Sequence, residues 1–275
     1  MNRMLSYEEK DTWLHRLSGV TKLIFFLLWC ITSAMTYDTR VLLAMCLLMI
    51  VMFVMSKTEW RQISAVMGVI LFFMAVNLIA IFALSPYQGS VIYGTKTVLS
   101  PFLPGHEITA EQLFYEFNIF IKYITIVPAI FIFMVTTDPS EFAASMNLVG
   151  IPYTIAYSVA IALRYVPDIQ DEYRKIRNAQ EARGIEMSSK ARLIDRIRRS
   201  AAIIFPLLFS SMERIDVVSN AMELRGFGKK KKRTWYSQKP LKRNDYLVII
   251  FSAVFCAAAL ILTFYDGNRF YNPFV

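Results

Sequence analysis

The stretch "ISAVMGVILFFMAVNLIAIFAL", residues 63–84, contains no charged side chain. A helix of roughly 20 apolar residues is what crossing the hydrocarbon core of a bilayer, about 30 Å thick, requires. The rest of the chain has a similar character, because 56% of its 275 residues are hydrophobic and 14% are aromatic. This is more than the core of a soluble domain of this size needs. The sequence therefore predicts an all-α, polytopic membrane protein.

Four further apolar runs reach or approach the length of a membrane span. They cover residues 20–36, 41–55, 117–135 and 246–265, and the second of them is the shortest. Together with residues 63–84 they predict about five transmembrane helices.

The distribution of Lys and Arg predicts which side of the membrane each region occupies. The chain carries 30 Lys and Arg against 21 Asp and Glu, and 20 of those 30 lie between residues 137 and 245. Lys and Arg accumulate on the cytoplasmic side, so this segment and the N-terminus, with Arg3, Lys10 and Arg16, are expected inside. Three regions follow: a membrane domain of four spans, 1–136; a cytoplasmic and interfacial domain of coupling helices, 137–245; and a last span with an external tail, 246–275.

Enzymatic chemistry has few candidate residues in this chain. The two histidines, His15 and His106, are predicted on opposite sides of the membrane. Cys30, Cys46 and Cys256 all lie in apolar spans, where a cysteine packs as a small hydrophobe. No metal site, no cofactor site and no pair of nucleophile and base is therefore expected.

One stretch comes close to a phosphate-binding loop. Residues 89–97 read GSVIYGTKT, but Thr95 separates Gly94 from Lys96, whereas the phosphate-binding pattern has Lys directly after the second Gly. The stretch also falls in a predicted external loop. A loop with turn glycines is the expected structure, and ATP is expected to bind to another chain.

Helix start signals follow the fourth span. Asp138 or Thr137 can cap a helix that has Pro139 in its first turn. This helix is expected to stop near Gly150. The next apolar element, residues 153–166, is short for a crossing and is expected to lie tilted or half-inserted at the interface.

From residue 166 the pattern predicts two amphipathic helices, each ending at Arg-Gly. The basic stretch between them, residues 190–199 (KARLIDRIRR), and the run KKKKR at 229–233 are expected to contact anionic lipid headgroups. Nucleic-acid binding is not expected, because no aromatic platform accompanies these charges. The apolar stripes are Val166, Ile169, Tyr173, Ile176 and Ala179 in the first helix and Ile204, Leu208, Met212, Ile215 and Met222 in the second.

Both amphipathic helices end in nearly the same sequence. Residues 178–186 read NAQEARGIE and residues 220–228 read NAMELRGFG, so Asn-Ala-x-Glu-x-Arg-Gly recurs with an offset of 42. A Gly cap and a cation at the negative end of the helix dipole explain one such ending. They do not require the preceding Asn-Ala-x-Glu, so the repeat favours two similar helix ends that meet two similar receptors. Arg suits a forked contact with carboxylates or carbonyls.

The chain resembles the transmembrane T component of energy-coupling factor (ECF) transporters. Four stretches carry the resemblance and cover well over half the chain. They are LHRLSGVTKL (14–23), TTDPSEFAASMNLVGIPY (136–153), LRYVPDIQDEYRKIRNAQEARG (163–184) and FPLLFSSMERIDVVSNAMELRG (205–226).

The resemblance implies a subunit that is not itself an enzyme. It implies a multi-pass protein of the prokaryotic cell membrane that links two ABC-type ATPases to a substrate-binding membrane protein, the S component. The partner recognises the substrate, a vitamin or a metal ion, so the sequence does not identify it, nor whether the ATPases are identical or the S component is shared. The residues implied to dock into the ATPases are Ala182, Arg183, Gly184, Leu224, Arg225 and Gly226.

Two departures from the family pattern and two alternative functions stay open. The family often has Asp-Pro where this chain has Ser18-Gly19, and the second Arg-Gly motif has Leu224 where the family pattern has Ala. The alternatives are a self-contained secondary transporter and a membrane scaffold. A secondary transporter needs ionisable groups in the membrane or repeated spans. Lys122 lies near the outer end of its span and is expected to extend to the headgroups.

Overall fold

The structure is a computed structural model that describes residues 12–57, 60–103, 106–184, 193–229, 234–265 and 267–274. Helices dominate these ranges, and one two-stranded antiparallel sheet, β1–β2, accompanies them. The elements are α1 Trp13–Arg16, α2 Gly19–Met35, α3 Thr39–Met55, α4 Trp60–Leu84, α5 Gln88–Tyr93, β1 Val98–Leu103, β2 His106–Thr109, α6 Ala110–Thr136, α7 Pro139–Leu148, α8 Tyr153–Ala182, α9 Leu193–Leu224 and α10 Arg243–Phe264.

Each of the five apolar runs forms a helix. Within the described ranges, three helices are long and apolar enough to cross a membrane: the Ser64–Leu84 part of α4, all of α6 and all of α10. The apolar helices α2 and α3 are shorter, with 17 residues each. A helix rises about 1.5 Å per residue, so 17 residues cover roughly 26 Å. A total of five crossings therefore stays a prediction.

The core of the membrane region forms where α2, α3, α6 and α10 meet. Trp29, Met45 and Met49 are almost completely buried there, together with Ala129 and Ala259. By contrast, only 6% of the apolar window of α4 is buried, against 44% of that of α6. The apolar side chains that α4 leaves exposed are suited to contact with lipid.

Polar contacts join the same helices, as is common between membrane helices. The indole Nε1 of Trp29 donates a hydrogen bond to the carbonyl oxygen of Thr125, at 3.3 Å. The side chains of Thr36 and Thr263 lie 2.7 Å apart, and the Thr39 hydroxyl donates to Asn118 at 2.7 Å. These hydrogen bonds satisfy buried polar groups and fix the register of the helices.

Two carboxylates cap the first turn of α2. Glu141 accepts a hydrogen bond from the amide of Gly19 at 2.7 Å, and Asp245 accepts one from the amide of Ser18 at 2.7 Å. Lys239 forms an ion pair with Glu141 at 3.0 Å, and the Glu141 side chain is only 5% exposed. We call Ser18, Gly19, Glu141, Lys239 and Asp245 the α2 cap cluster. Proline, which the family often has at this position, has no amide hydrogen to donate. Glycine at position 19 therefore makes the hydrogen bond to Glu141 possible.

The predicted external loop has more structure than expected. Its first part forms α5, which ends at Gly94 in the left-handed region, with φ of 73°. Gly89 packs so tightly on α6 that a Cβ there would lie 2.4 Å from the carbonyl oxygen of Glu111. Lys96 forms a hydrogen-bonded ion pair with Glu107. The hydrogen bond to Glu107 raises the pKa of Lys96. Close packing and a helix cap therefore account for the two glycines of the stretch that resembled a phosphate-binding loop.

The chain forms two compact units. The first comprises Met1–Ser145 and Gln238–Val275, and the second comprises Met146–Ser237. In the second unit, the indole of Trp235 donates a hydrogen bond to Asn147 at 3.2 Å, so its two ends lie side by side. This division reflects packing and does not test the predicted membrane and cytoplasmic regions, which concern the sides of the bilayer.

The second unit consists mainly of α8 and α9. The apolar element expected at 153–166 and the amphipathic helix expected after it form one continuous helix, α8, which passes through Pro167. The helix α9 likewise contains Pro206 and includes part of the basic stretch 190–199. A proline inside a helix removes one backbone hydrogen bond, but the helix can continue past it.

Candidate functional site

The first Arg-Gly motif forms the C-terminus of α8. Arg183 is the C-cap residue, and its amide donates to the carbonyl oxygen of Gln180 at 3.1 Å. Gly184 follows with φ of 85° and donates its amide hydrogen to Glu181 at 3.0 Å. A residue with a Cβ rarely adopts this conformation, so glycine is the expected residue here.

The second Arg-Gly motif ends α9 with the same conformation and hydrogen bond at its glycine. Gly226 has φ of 64° and donates to Glu223 at 2.8 Å, and Phe227 donates to Met222 at 2.9 Å. These two hydrogen bonds define a Schellman motif. The helix ends predicted from the two glycines are therefore present at both positions.

Aromatic side chains hold the residue that follows the second motif. The ring of Phe227 lies 4.8 Å from that of Tyr157 and 5.7 Å from that of Tyr153, between ring centroids. The Trp235 ring lies 5.2 Å from Tyr153. Sequence reasoning missed this anchor, although an aromatic residue directly after Arg-Gly was a signal for it.

Both arginines are exposed on the second unit. Neither the Arg183 nor the Arg225 guanidinium makes a hydrogen bond or an ion pair with another residue that the structure describes. Leu224, directly before the second arginine, is 90% exposed, and Ala182 is exposed at the equivalent position. Among the described residues, each motif thus presents a cation without an ion-pair partner beside an apolar side chain.

The two helix ends lie at opposite ends of an antiparallel helix pair. The Gln180 side chain, near the end of α8, donates to the carbonyl oxygen of Ala202 near the start of α9, at 3.1 Å. The end of α9 lies beside Tyr157 at the start of α8. At about 1.5 Å per residue, Arg183 and Arg225 are separated by roughly 35 Å along the pair.

A groove of about 720 Å³ runs between α8 and α9. Its lining is mainly apolar and includes Val166, Ile169, Ile215 and Met222 from the predicted stripes. Val166, Ile169 and Ile215 are each at least 40% exposed. An exposed apolar surface of this kind on amphipathic helices indicates an interaction site.

Lys122 has two partners within the protein. Its ammonium group donates to the carbonyl oxygen of Ala34, in the last turn of α2, at 3.1 Å and lies 3.2 Å from the centroid of the Tyr37 ring. A cation is favourable at a helix C-terminus and over an aromatic ring. These contacts account for the position of Lys122 beside the end of α2, and its predicted extension to the headgroups stays a prediction.

Part of the predicted lipid-contacting surface lies outside the described residues. Residues 185–192 and 230–233 belong to this group, so most of the KKKKR run and the start of the stretch 190–199 are not described. The expected contact of these basic residues with anionic headgroups stays a prediction.

Comparisons with known proteins bear on the whole chain. The family described as CbiQ, cobalt transport protein, matches residues 10–236.

Three relatives share the name energy-coupling factor transporter transmembrane protein EcfT. The protein from Leuconostoc gelidum subsp. gasicomitatum is 25% identical over 244 residues, 82% of this chain and 84% of that protein. The protein from Lactococcus lactis subsp. cremoris is 25% identical over 268 residues, 93% and 95% of the two chains. The protein from Limosilactobacillus fermentum is 31% identical over 167 residues, 56% and 62%.

The long apolar helices and these matches define the class: a helical transmembrane component of a transporter. The chain belongs to the CbiQ family, to which energy-coupling factor transporter transmembrane proteins are related.

Proposed function

We propose that this chain couples two cytoplasmic ABC-type ATPases to a substrate-binding membrane subunit in the uptake of a micronutrient, a vitamin or a metal ion. The names of its relatives place those proteins in energy-coupling factor transporters. The observation that carries the proposal is the pair of exposed Arg-Gly helix ends, each with a glycine at positive φ, at two places roughly 35 Å apart.

We assign ATPase docking to Ala182, Arg183 and Gly184 at one helix end and to Leu224, Arg225 and Gly226 at the other. Each arginine is exposed at the end of its helix, so its guanidinium can enter a groove on a partner. The separation favours two receptors over one, because a single groove does not span both ends. Leu224 has a larger apolar side chain than Ala182, which favours a deeper apolar contact at the second receptor.

The substrate-binding subunit contacts the apolar groove between α8 and α9 in this proposal. A membrane protein can supply an apolar surface that matches Val166, Ile169 and Ile215. With the N-terminus in the cytoplasm and five crossings, the second unit lies on the cytoplasmic side, where the ATPases and anionic headgroups are available. ATP-driven closure of the ATPases then moves the helix ends, and the rigid helices transmit the movement.

The proposal is tested by reversing the two charges, Arg183→Glu and Arg225→Glu, singly and together. We expect each single variant to weaken retention of one ATPase and the double variant to lose both, while insertion into the membrane is unchanged. The readout is co-purification of two nucleotide-binding proteins and a small membrane protein with the tagged chain after gentle solubilisation, followed by ATP hydrolysis coupled to transport in liposomes.

Lys175→Glu is the matched control, because Lys175 is exposed on α8 but lies outside the motif. It makes the same charge change and should leave assembly intact. Assembly and coupled ATP hydrolysis that survive the double reversal would refute the docking role. A lone chain that transports in liposomes would instead favour a self-contained transporter.

A further inference from the structure

In addition to the hydrogen bond from Gln180 to Ala202, a charged contact joins α8 and α9 between the two helix ends. The carboxylate of Glu172 forms an ion pair with Arg214 at 2.8 Å and accepts a hydrogen bond from the hydroxyl of Ser210. The Arg214 guanidinium also lies over the ring of Tyr165, 5.8 Å from its centroid. The side chains of Glu172 and Arg214 are 19% and 38% exposed, so water screens this ion pair only in part.

Glu172 and Arg214 occupy equivalent positions when the two helices are aligned on the repeat of residues 178–184 and 220–226. They are separated by 42 positions, as are Arg183 and Arg225. In two antiparallel helices related by a two-fold axis, equivalent residues meet only where the axis passes between the helices. The contact between Glu172 and Arg214 therefore marks the approximate symmetry axis of the pair.

The position of this axis gives the two helices arms of equal length. Arg183 follows Glu172 by 11 positions, and Arg225 follows Arg214 by 11 positions. At about 1.5 Å per residue, each docking arginine lies roughly 16 Å along its helix from the crossing point. A change in the crossing angle displaces both arginines by similar amounts.

The charges at the crossing are opposite, although Glu172 and Arg214 are equivalent positions. The same carboxylate at both positions would place like charges opposite each other, which is destabilising, whereas Glu opposite Arg forms a hydrogen-bonded pair. The apolar contacts that line the groove have little directionality and permit the helices to slide or rotate. A paired charge with defined geometry specifies one register, as buried polar residues do in coiled coils.

We propose that Glu172 and Arg214 are positioning residues that fix the crossing of α8 and α9 and thereby set the spacing of Arg183 and Arg225. This inference rests on the proposed ATPase docking, because the spacing matters only if two partners are bound. The ion pair contacts neither partner in this scheme. It determines whether both helix ends reach their receptors in the same register.

The test compares Glu172→Arg, Arg214→Glu and the reciprocal double exchange, with Glu172→Gln and Arg214→Gln as variants of similar size. Spin labels at Asn178→Cys and Asn220→Cys, two exposed and equivalent positions, report the distance between the helix ends by pulsed electron paramagnetic resonance. The background replaces Cys30, Cys46 and Cys256 with serine or alanine. The same variants without labels are assembled with the ATPases and the substrate-binding subunit in liposomes.

We expect each single change to broaden the distance distribution and to cause about a fivefold loss of substrate taken up per ATP hydrolysed, with the ATPases still bound. The reciprocal exchange should restore both quantities. A control exchange of Asp171 and Arg174, an exposed ion pair within α8, should change neither.

Unchanged distances in the single variants would overturn the inference, as would failure of the reciprocal exchange to restore them. Equal effects from the control exchange would also overturn it. The distance measurement uses the isolated chain, so its result does not depend on ATPase docking. Failure of the proposed function would appear separately, because assembly would then survive the reversal of Arg183 and Arg225.

Discussion

At the residue scale, the two glycines of the Arg-Gly motifs are required by backbone conformation and not by lack of space. Gly184 and Gly226 both have positive φ. A Cβ added at Gly184 would meet nothing within 4 Å, and one at Gly226 would make only an ordinary contact with Lys229. A side chain at either position therefore costs the energy of the left-handed backbone alone.

We expect Gly184→Ala and Gly226→Ala to destabilise the last helical turn by about 1 to 2 kcal/mol. Hydrogen exchange should become faster at residues 178–184 and 220–226 respectively, and asparagine should cost less than alanine because it tolerates this conformation better. Gly68→Ala is the matched control, since this glycine lies within α4 and has open space around it. Unchanged exchange rates in both motif variants would contradict the capping role.

At the element scale, the N-terminus of α2 depends on residues far away in sequence. The amide of Gly19 donates to Glu141, and a Cβ at Gly19 would lie 2.7 Å from the Cγ of Glu141 and from the Oγ of Ser145. Position 19 therefore combines a required hydrogen-bond donor with a close approach of another helix.

We expect Gly19→Pro to lower the free energy of unfolding by about 2 kcal/mol or more, because it removes the donor and leaves a buried carboxylate oxygen with one fewer partner. Gly19→Ala keeps the amide hydrogen and adds only the steric contact of a Cβ. Comparing the two variants therefore separates the loss of the hydrogen bond from the steric contact. Thermal unfolding in detergent is the measurement. A proline variant as stable as the alanine variant would show that the hydrogen bond contributes little.

The sequence predicted the helices better than their contacts. Apolar runs and helix signals located the five apolar helices and both Arg-Gly ends, because spacing and glycine caps are local properties. Local patterns did not reveal that Glu141 caps α2, since its partner Gly19 is 122 positions away. They also divided α8 near residue 166, where the change from apolar to amphipathic character reflects surroundings and not a break in the backbone.

The ion pair at the crossing of α8 and α9 was missed for a similar reason. The stripe that contains Val166 and Ile169 indicates which face is apolar but not which residue of another helix it meets. The offset of 42 that relates the Arg-Gly motifs also relates Glu172 to Arg214. Applying this offset to the residues eleven positions before each arginine could have identified the pair.

At the scale of the whole molecule, the orientation in the membrane stays a prediction that can be measured directly. In a background without native cysteines, Lys96→Cys should react with a membrane-impermeant maleimide in intact cells, because the segment between α4 and α6 is predicted outside. Lys175→Cys on α8 should react only after permeabilisation. Both positions are exposed in the structure. The reverse pattern would invert the topology and contradict the proposed docking of the Arg-Gly motifs into cytoplasmic ATPases.

The pairing of Glu141 with Lys239 has a consequence for how the gene can be rearranged. The chain leaves the first unit shortly after Glu141 and re-enters it just before Lys239, and these two side chains are in contact. Asn147 and Trp235 close the corresponding gap in the second unit. Residues 146–237 therefore have the form of an inserted cassette with adjacent junctions. Such a segment can be exchanged for that of a relative by two splices, which would transfer the proposed docking ends while the remaining helices stay unaltered.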